Sequence, residues 1–364
     1  MAKTIQNQFQ PDLVPPPGDT IKESLEALGM KQAELAKRMG ASEKYVIDLL
    51  CGDACISAET ALKLERVFNV PARFWTNLEQ GYRDFLARKE EEKHLTQSVS
   101  WMRRFPLKEM ASLGWLERTK DELTDTHRLL TYFGCASEGQ WHTVWEKADA
   151  VFRHSAAQKS DSHVLAAWLR RGQMEAVELK LPEHDTNAWD TALKAIRENI
   201  SADPTHFQKF MTEQCAKAGV GLIFLPSLPK MAVSGACVWL NQNPCIYLSL
   251  RYKTDDHLWF SFFHEAQHVW QNVRKRLFVD EPQQAVNDPL EVEANKFAAE
   301  TLIPADAYGD FVETSRFDVH SIKGFAKAHR LTAGVVVGRL QHDRHVPWAS
   351  PLNNLKMHFV WSDK

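Results

Sequence analysis

The spacing of apolar residues changes character along this chain. Three short runs, GVGLIFL from Gly219, ACVWLN from Ala236 and PCIYLSL from Pro244, are rich in Val, Ile, Leu and aromatics and are bounded by Pro, Gly and Asn. Runs of that length and composition predict strands. Directly after them, Leu258, Phe260, Phe262, Phe263, Val269 and Trp270 surround a polar triplet, which predicts a helix apolar on several sides and therefore buried. A further helix is predicted in DPLEVEANKFAAETLIP, with Asp288 as N-cap, Pro289 at the first helical position and Glu291 folding back as a capping box, up to a stop at Pro304.

Near the N-terminus, KQAELAKRMGASEKYVIDLLCGD places Gln32, Ala36, Gly40, Val46 and Leu49 at helix-turn-helix spacing. The small Ala36 falls where two helices cross, glycine takes the turn, and apolar residues seat a second helix capped by Ser42. From Ser57, an amphipathic helix leads into an aromatic-rich segment. The stretch between about 87 and 215 is helical in pattern, as in WHTVWEKADAVF and HVLAAWLRRGQMEAVEL. There ARKEEEKHLTQ reads as a solvated charged helix or linker, and Trp141 and Trp145, four residues apart, as packing residues. The pattern as a whole predicts an α+β chain, mainly α. Its parts are a flexible leader over 1–18, a helical domain over 19–86, a Trp-rich helical middle region over 87–205, and a domain with a small sheet over 206–364.

Composition narrows the classes. With 364 residues, 44% of them apolar, the chain is long enough for two or three cores. A net charge of −3 gives no global attraction to nucleic acid or to an anionic membrane. No apolar run is long enough to span a bilayer and no signal peptide is expected, so neither a membrane nor an export route is implied. The six cysteines form no CxxC pair and suit reduced thiols, as in a cytoplasmic protein.

The chemistry lies in the buried helix. His264, Glu265 and His268 spell HExxH. Residues four apart project from one helix face, so the two imidazoles can bind a single Zn²⁺, while the adjacent Glu265 can accept a proton from water activated there. A catalytic zinc needs a third protein ligand and an open position. Of the carboxylates on the next helix, Glu291 is assigned to the capping box and Glu300 to the solvated end. Glu293, expected on the side of Leu290 and Phe297, is taken as the ligand, with pairing to Lys296 or an arginine as its alternative. Tyr247, Tyr252, Tyr308 and His329 are candidate donors to a developing oxyanion, and nothing in the sequence ranks them.

HEAQH followed by EVEANKFAAETLIP resembles the ImmA/IrrE family of metallopeptidases, which are similar to gluzincins. The resemblance implies a zincin-like domain with zinc on His264, His268 and Glu293 and Glu265 as general base. It also implies a sheet against the metal helix, whose edge strand would pair with an extended substrate. The chain departs from the family pattern at Ala266 and Gln267, where a bulky aliphatic followed by a small residue is more usual. Residues 19 to 86 resemble the XRE-type domains of HigA-like antitoxins. That likeness implies operator DNA as a partner, with Gln32 on phosphate and Ser42, Lys44 and Tyr45 on the reading helix, and a homodimer on a palindromic site. Between Asp19 and Gln80, however, eight Lys and Arg face ten Asp and Glu, so a protein-binding or dimerising role stays open beside DNA reading. Two functional readings follow. One is a zinc endopeptidase, directed by its helix-turn-helix, that cleaves a repressor or other regulatory protein. The other is an antitoxin-like repressor whose zinc domain is a sensor or dimerisation module.

Overall fold

The computed structural model describes residues 14 to 146, 161 to 201, 206 to 272, 278 to 279 and 288 to 361, and most of the expected leader lies outside them. The chain divides after Gln97 into two compact units.

The first unit holds α1 (Pro17–Ala27), α2 (Gln32–Met39), α3 (Glu43–Cys51), α4 (Ala58–Phe68) and the greater part of α5 (Ala72–Met102). Its boundaries follow from local chemistry. Ser42 Oγ accepts from Tyr45 N and Ser57 Oγ from Thr60 N, capping α3 and α4. Gly40, at φ 63°, ends α2 in the left-handed conformation that glycine adopts without a Cβ penalty. Leu35, Ala36, Val46, Leu49, Leu64 and Trp75 form the core, on the apolar spacing that predicted the two crossing helices.

The second unit opens with α6 (Leu107–Ser112), α7 (Glu122–Phe133) and α8 (Glu138–Trp141). It continues through α9 (Ser162–Val177), α10 (Thr186–Glu198) and α11 (Phe207–Lys217). The middle-region helices after Gln97 are thus part of this unit. Trp141 is buried, edge-on to Trp101 at 5.5 Å and stacked on His163 at 4.9 Å, so it serves packing.

All three predicted strands form: β1 (Gly221–Phe224), β2 (Gly235–Leu240) and β3 (Asn243–Leu248), joined by the two-residue β4 (Phe278–Val279). The order is β1-β3-β2-β4, with β1 parallel to β3 and β2 antiparallel to its neighbours. Leu240 pairs with Asn243, leaving a two-residue turn in which Asn241 takes φ 56°.

Strand alternation gives the sheet two faces. Leu222, Cys237, Ile246 and Leu248 share a core with Phe262, Phe263, Ala266 and Val269 of α12 (Asp255–Gln271). Tyr247 points the other way, onto Trp168 of α9 at 6.0 Å between ring centroids. Gly172 of α9 lies so close to the Tyr247 ring that a Cβ there would collide with it. The sheet is therefore held between α9 and α12. The remaining helices are α13 (Pro289–Leu302), α14 (Ala305–Glu313), α15 (Val319–Ala328) and α16 (Ala333–His342). None of the described helices is long and apolar enough to cross a membrane.

The start of α12 is clamped by the C-terminal segment. Asp255 N donates to Met357 O at 3.1 Å, Met357 N donates to Asp255 Oδ1 at 3.0 Å, and Thr254 bridges His358. Lys356 Nζ meets Asp256 Oδ2 at 2.6 Å, the two side chains being 8% and 7% exposed. Gly334 and Gly338 of α16 leave room for these two aspartates. Breaking a buried pair from one side strands the other charge, at a cost of about 3–5 kcal/mol. Lys356→Ala is accordingly expected to lower stability by about that amount in urea titration, and Asp256→Ala added to it to cost less than a second such loss.

Candidate metal centre and helix-turn-helix face

Helix α12 presents His264, Glu265 and His268, each at most 1% exposed. Helix α13 lies against it, with Ala294 and Ala298 fully buried. Methyl side chains let two helices approach closely, and that approach carries a carboxylate to the imidazoles. The carboxylate is Glu291, 4% exposed, with Oε2 at 3.1 Å from His264 Nε2 and Oε1 at 3.6 Å from His268 Nε2. His264, His268 and Glu291 are the one group among the described residues whose ligand atoms could converge on a single metal ion, all within 4.8 Å of one another.

This corrects two expectations. Glu293, taken above as the third ligand, is exposed, and its Oε2 accepts from Gln271 Nε2 at 3.0 Å. Two residues along a helix is a rotation of about 200°, so Glu291 and Glu293 cannot serve one face. Glu291, assigned above to the capping box, faces the histidines instead, while the Asp288 side chain caps the helix by accepting from Leu290 N. The buried stripe of α13 runs Glu291, Ala294, Ala298, Leu302. The legible signal was the pair of alanines, 294 and 298, in line with Glu291 at three- and four-residue spacing. The bulkier Leu290 and Phe297 are only half-buried at its flank.

The outer hydrogen bonds set the imidazole tautomers. Gln271 Nε2 donates to Leu290 O and to Glu293 Oε2, each at 3.0 Å, so its Oε1 is the atom facing His268 Nδ1 at 2.7 Å. That acceptor calls for a proton on Nδ1. Asn295 Oδ1 lies 3.0 Å from His264 Nδ1 and asks the same of the first ring. Both Nε2 lone pairs then point inward, 3.2 Å apart, with a carboxylate beside them. Three electron-rich atoms converging in a buried space repel one another unless a cation lies among them. A tetrahedral Zn²⁺ with Zn–N of about 2.0–2.1 Å separates its nitrogens by roughly 3.3 Å, so the donor set fits zinc. With no cation among them, protons on the imidazole Nε2 atoms would take its place, and hydrogen bonds from those rings outweigh the burial that works to raise the Glu291 carboxyl and hold it down at about 2. It is an anion at any physiological pH.

Glu265 is fully buried on the same helix, against β2. A Cβ at Gly235 would stand 2.7 Å from Glu265 Oε1, so glycine is needed there for strand and carboxylate to coexist. Cys237 is a neighbour, its thiol pushed up first by burial and then by the Glu265 charge. Ala266 is fully buried, and Gln267 is half-buried.

The candidate oxyanion donors are scattered. Tyr247 lies on the sheet face away from α12, against Trp168. Tyr252 is exposed and stacked on His257 at 4.0 Å, near the start of α12. Tyr308 packs under Arg339 of α16, and His329 against Phe325 of α15.

In the first unit Gln32, Ser42 and Lys44 are exposed on α2 and at the start of α3. Tyr45 is half-buried, its hydroxyl paired with Thr60 Oγ1 at 2.8 Å, so it ties α3 to α4.

A helix-turn-helix unit and a two-histidine, one-glutamate cluster beside a small sheet together define a regulator joined to a metallopeptidase-like domain. Family comparison agrees: the Helix-turn-helix model matches residues 21 to 75, and the IrrE N-terminal-like domain of the M78 peptidases matches residues 215 to 341. The chain is 36% identical over 90 residues, 25% of its own length and 89% of the relative's, to the "Uncharacterized HTH-type transcriptional regulator YddM" of Escherichia coli (strain K12). It is also similar, at 32% identity and a TM-score of 0.22, to an addiction module antidote protein of a HigA family from Coxiella burnetii, over 23% of this chain and 92% of that one. The chain belongs to the helix-turn-helix transcriptional regulators of XRE type and carries, in the same polypeptide, an M78 peptidase-family domain of the IrrE N-terminal-like kind.

Proposed function

We propose that the second unit is a zinc-dependent endopeptidase acting on a regulatory protein such as a repressor, and that the helix-turn-helix unit brings it to operator DNA as a homodimer. The observation that carries the zinc reading is the pair of inward-facing Nε2 atoms, 3.2 Å apart, with Glu291 alongside. Zn²⁺ bound there supplies a Lewis acid for the peptide carbonyl and makes water acidic enough to ionise near neutral pH. Asn295 and Gln271 hold the rings in the ligand tautomer. Glu265, beside the ligands on the same helix, accepts the water proton on its carboxylate and passes it to the leaving amine.

The test is the zinc content of the purified full chain together with incubation against the regulatory protein encoded beside it. Stoichiometric zinc and cleavage that stops on chelation are expected. Absence of zinc from protein purified in its presence would sink the metal site. The burial of Glu265 and of all three ligands favours a second reading, in which the domain is a metal-gated sensor within an antitoxin-like repressor. Stoichiometric zinc without cleavage of any candidate would select it.

For the DNA side, Lys44→Ala is expected to weaken binding to the DNA upstream of the gene several-fold in mobility-shift assays. The salt dependence should be shallow, because few cations line this face. Tyr45→Phe tests the tie to Thr60 separately, and should lower stability more than it alters the DNA sequence preferred. No shift at low salt would make the unit a protein-docking module.

A further inference from the structure

Helices α10, α12 and α13 enclose an open groove of about 860 Å³, within the size range of ligand sites. Leu193, Leu290, Phe297 and Trp270 give it an apolar lining, and Trp270 is 37% exposed. The charges on its walls are unequally engaged. Lys194 Nζ sits 2.5 Å from Asp190 Oδ2. Arg197 donates to the carbonyls of Thr301 and Leu302 at 2.7 Å and of His329 at 3.2 Å, closing the end of α13. Glu293 meets the Gln271 amide, while the neighbouring Lys296 lies toward Glu300 at 3.9 Å. The groove therefore offers, beside the Lys194-paired Asp190, a second exposed carboxylate, Glu293, together with apolar surface and a partly exposed indole. That combination complements the long apolar stem and cationic head of lysine or arginine.

The groove also adjoins the metal centre through one side chain. Gln271 accepts from the metal-side imidazole of His268 with Oε1 and donates to Glu293 with Nε2. Glu293 is thus two hydrogen bonds away from His268 and an occupant on it three, too far to react and near enough to belong to the same bound chain.

We propose that this groove binds a polypeptide segment in which an apolar residue neighbours a lysine or arginine, the apolar side chain lying on Leu193, Leu290 and Phe297 and the cation on Glu293 and Trp270. It thereby selects the sequence flanking the bond to be cut, an assignment that rests on the endopeptidase reading above. Glu293, which does not reach the metal, becomes a specificity-determining residue.

The experiment uses the full-length, zinc-loaded Glu265→Gln protein and fluorescein-labelled Ala/Ser peptides carrying either one Leu-Arg or one Leu-Glu pair, read by anisotropy. An exposed ion pair supports a preference of roughly fivefold or less, so the Leu-Arg peptide is expected to bind a few-fold more tightly. Glu293→Gln should level the two peptides, Glu293→Lys should reverse them, and Trp270→Ala should weaken the Leu-Arg peptide more than the Leu-Glu one. Equal binding of both peptides, or a preference unchanged in Glu293→Lys, would overturn the proposal. A preference that follows Glu293, with no peptide or protein cut by the wild-type chain, would keep the groove and remove the endopeptidase reading. Cleavage indifferent to Glu293 would do the reverse.

Discussion

Glu291→Ala is expected to leave the protein without zinc after dialysis, while Glu293→Ala retains it at near-stoichiometric amounts. Removing only an outer hydrogen-bond partner of a ligand costs about 10- to 100-fold in metal affinity, and Glu291 is itself placed to ligate, so its loss should exceed that range. The effect should also be visible without any assay of activity. Zinc at a thousand times its dissociation constant stabilises a folded protein that binds it by about 4 kcal/mol, so zinc should raise the melting temperature of the wild type and of Glu293→Ala by several degrees. Glu291→Ala should show little of this shift. Elemental analysis and thermal melts of the three proteins decide the matter, and equal zinc in wild type and Glu291→Ala would remove Glu291 from the ligand set.

The second large effect is catalytic. Glu265→Gln should keep zinc and fold yet cut at a rate lower by about 10²- to 10⁴-fold, because the amide fills the same space but cannot take up a proton. Equal volume matters here, since Gly235 leaves no slack beside this side chain. Single-turnover cleavage with zinc measured on the same sample separates chemistry from metal loss. Activity that survives the change would mean that another group accepts the proton.

Much of this was legible locally. The HExxH spacing fixes two imidazoles on one face of any helix that forms, and the surrounding aromatics require that helix to be buried. The strands at 221–224, 235–240 and 243–248 were visible because β-branched and aromatic runs were bounded by residues that break them. In the first unit, the cap at Ser42 and the glycine after α2 mark helix ends through bonds and torsions within a few residues.

The carboxylate beside the two histidines was of another kind. Capping, propensity and carboxylate position along α13 are all local, and they assigned Glu291 to the helix end and Glu293 to the metal. Which carboxylate meets His264 depends on the rotation of α13 against α12, and packing between two helices sets that rotation. The alanines at 294 and 298 won over the larger Leu290 and Phe297 because a close helix approach excludes bulky side chains from the line of contact. The tautomers of the two histidines were likewise out of reach. They depend on Gln271 and Asn295 lying beside particular ring nitrogens, one of them held by a carbonyl on the other helix. Tyr247 shows the same division. Its place in a strand was readable, but its face was settled only when α9 came to rest on it at Gly172. The sequence by itself determined the kinds of chemistry present and the elements that carry them, since those follow from bonds and torsions within one or two turns of chain. Only the tertiary structure decided which groups meet, because two residues along a helix, a rotation of about 200°, separate the carboxylate beside the histidines from a surface acid.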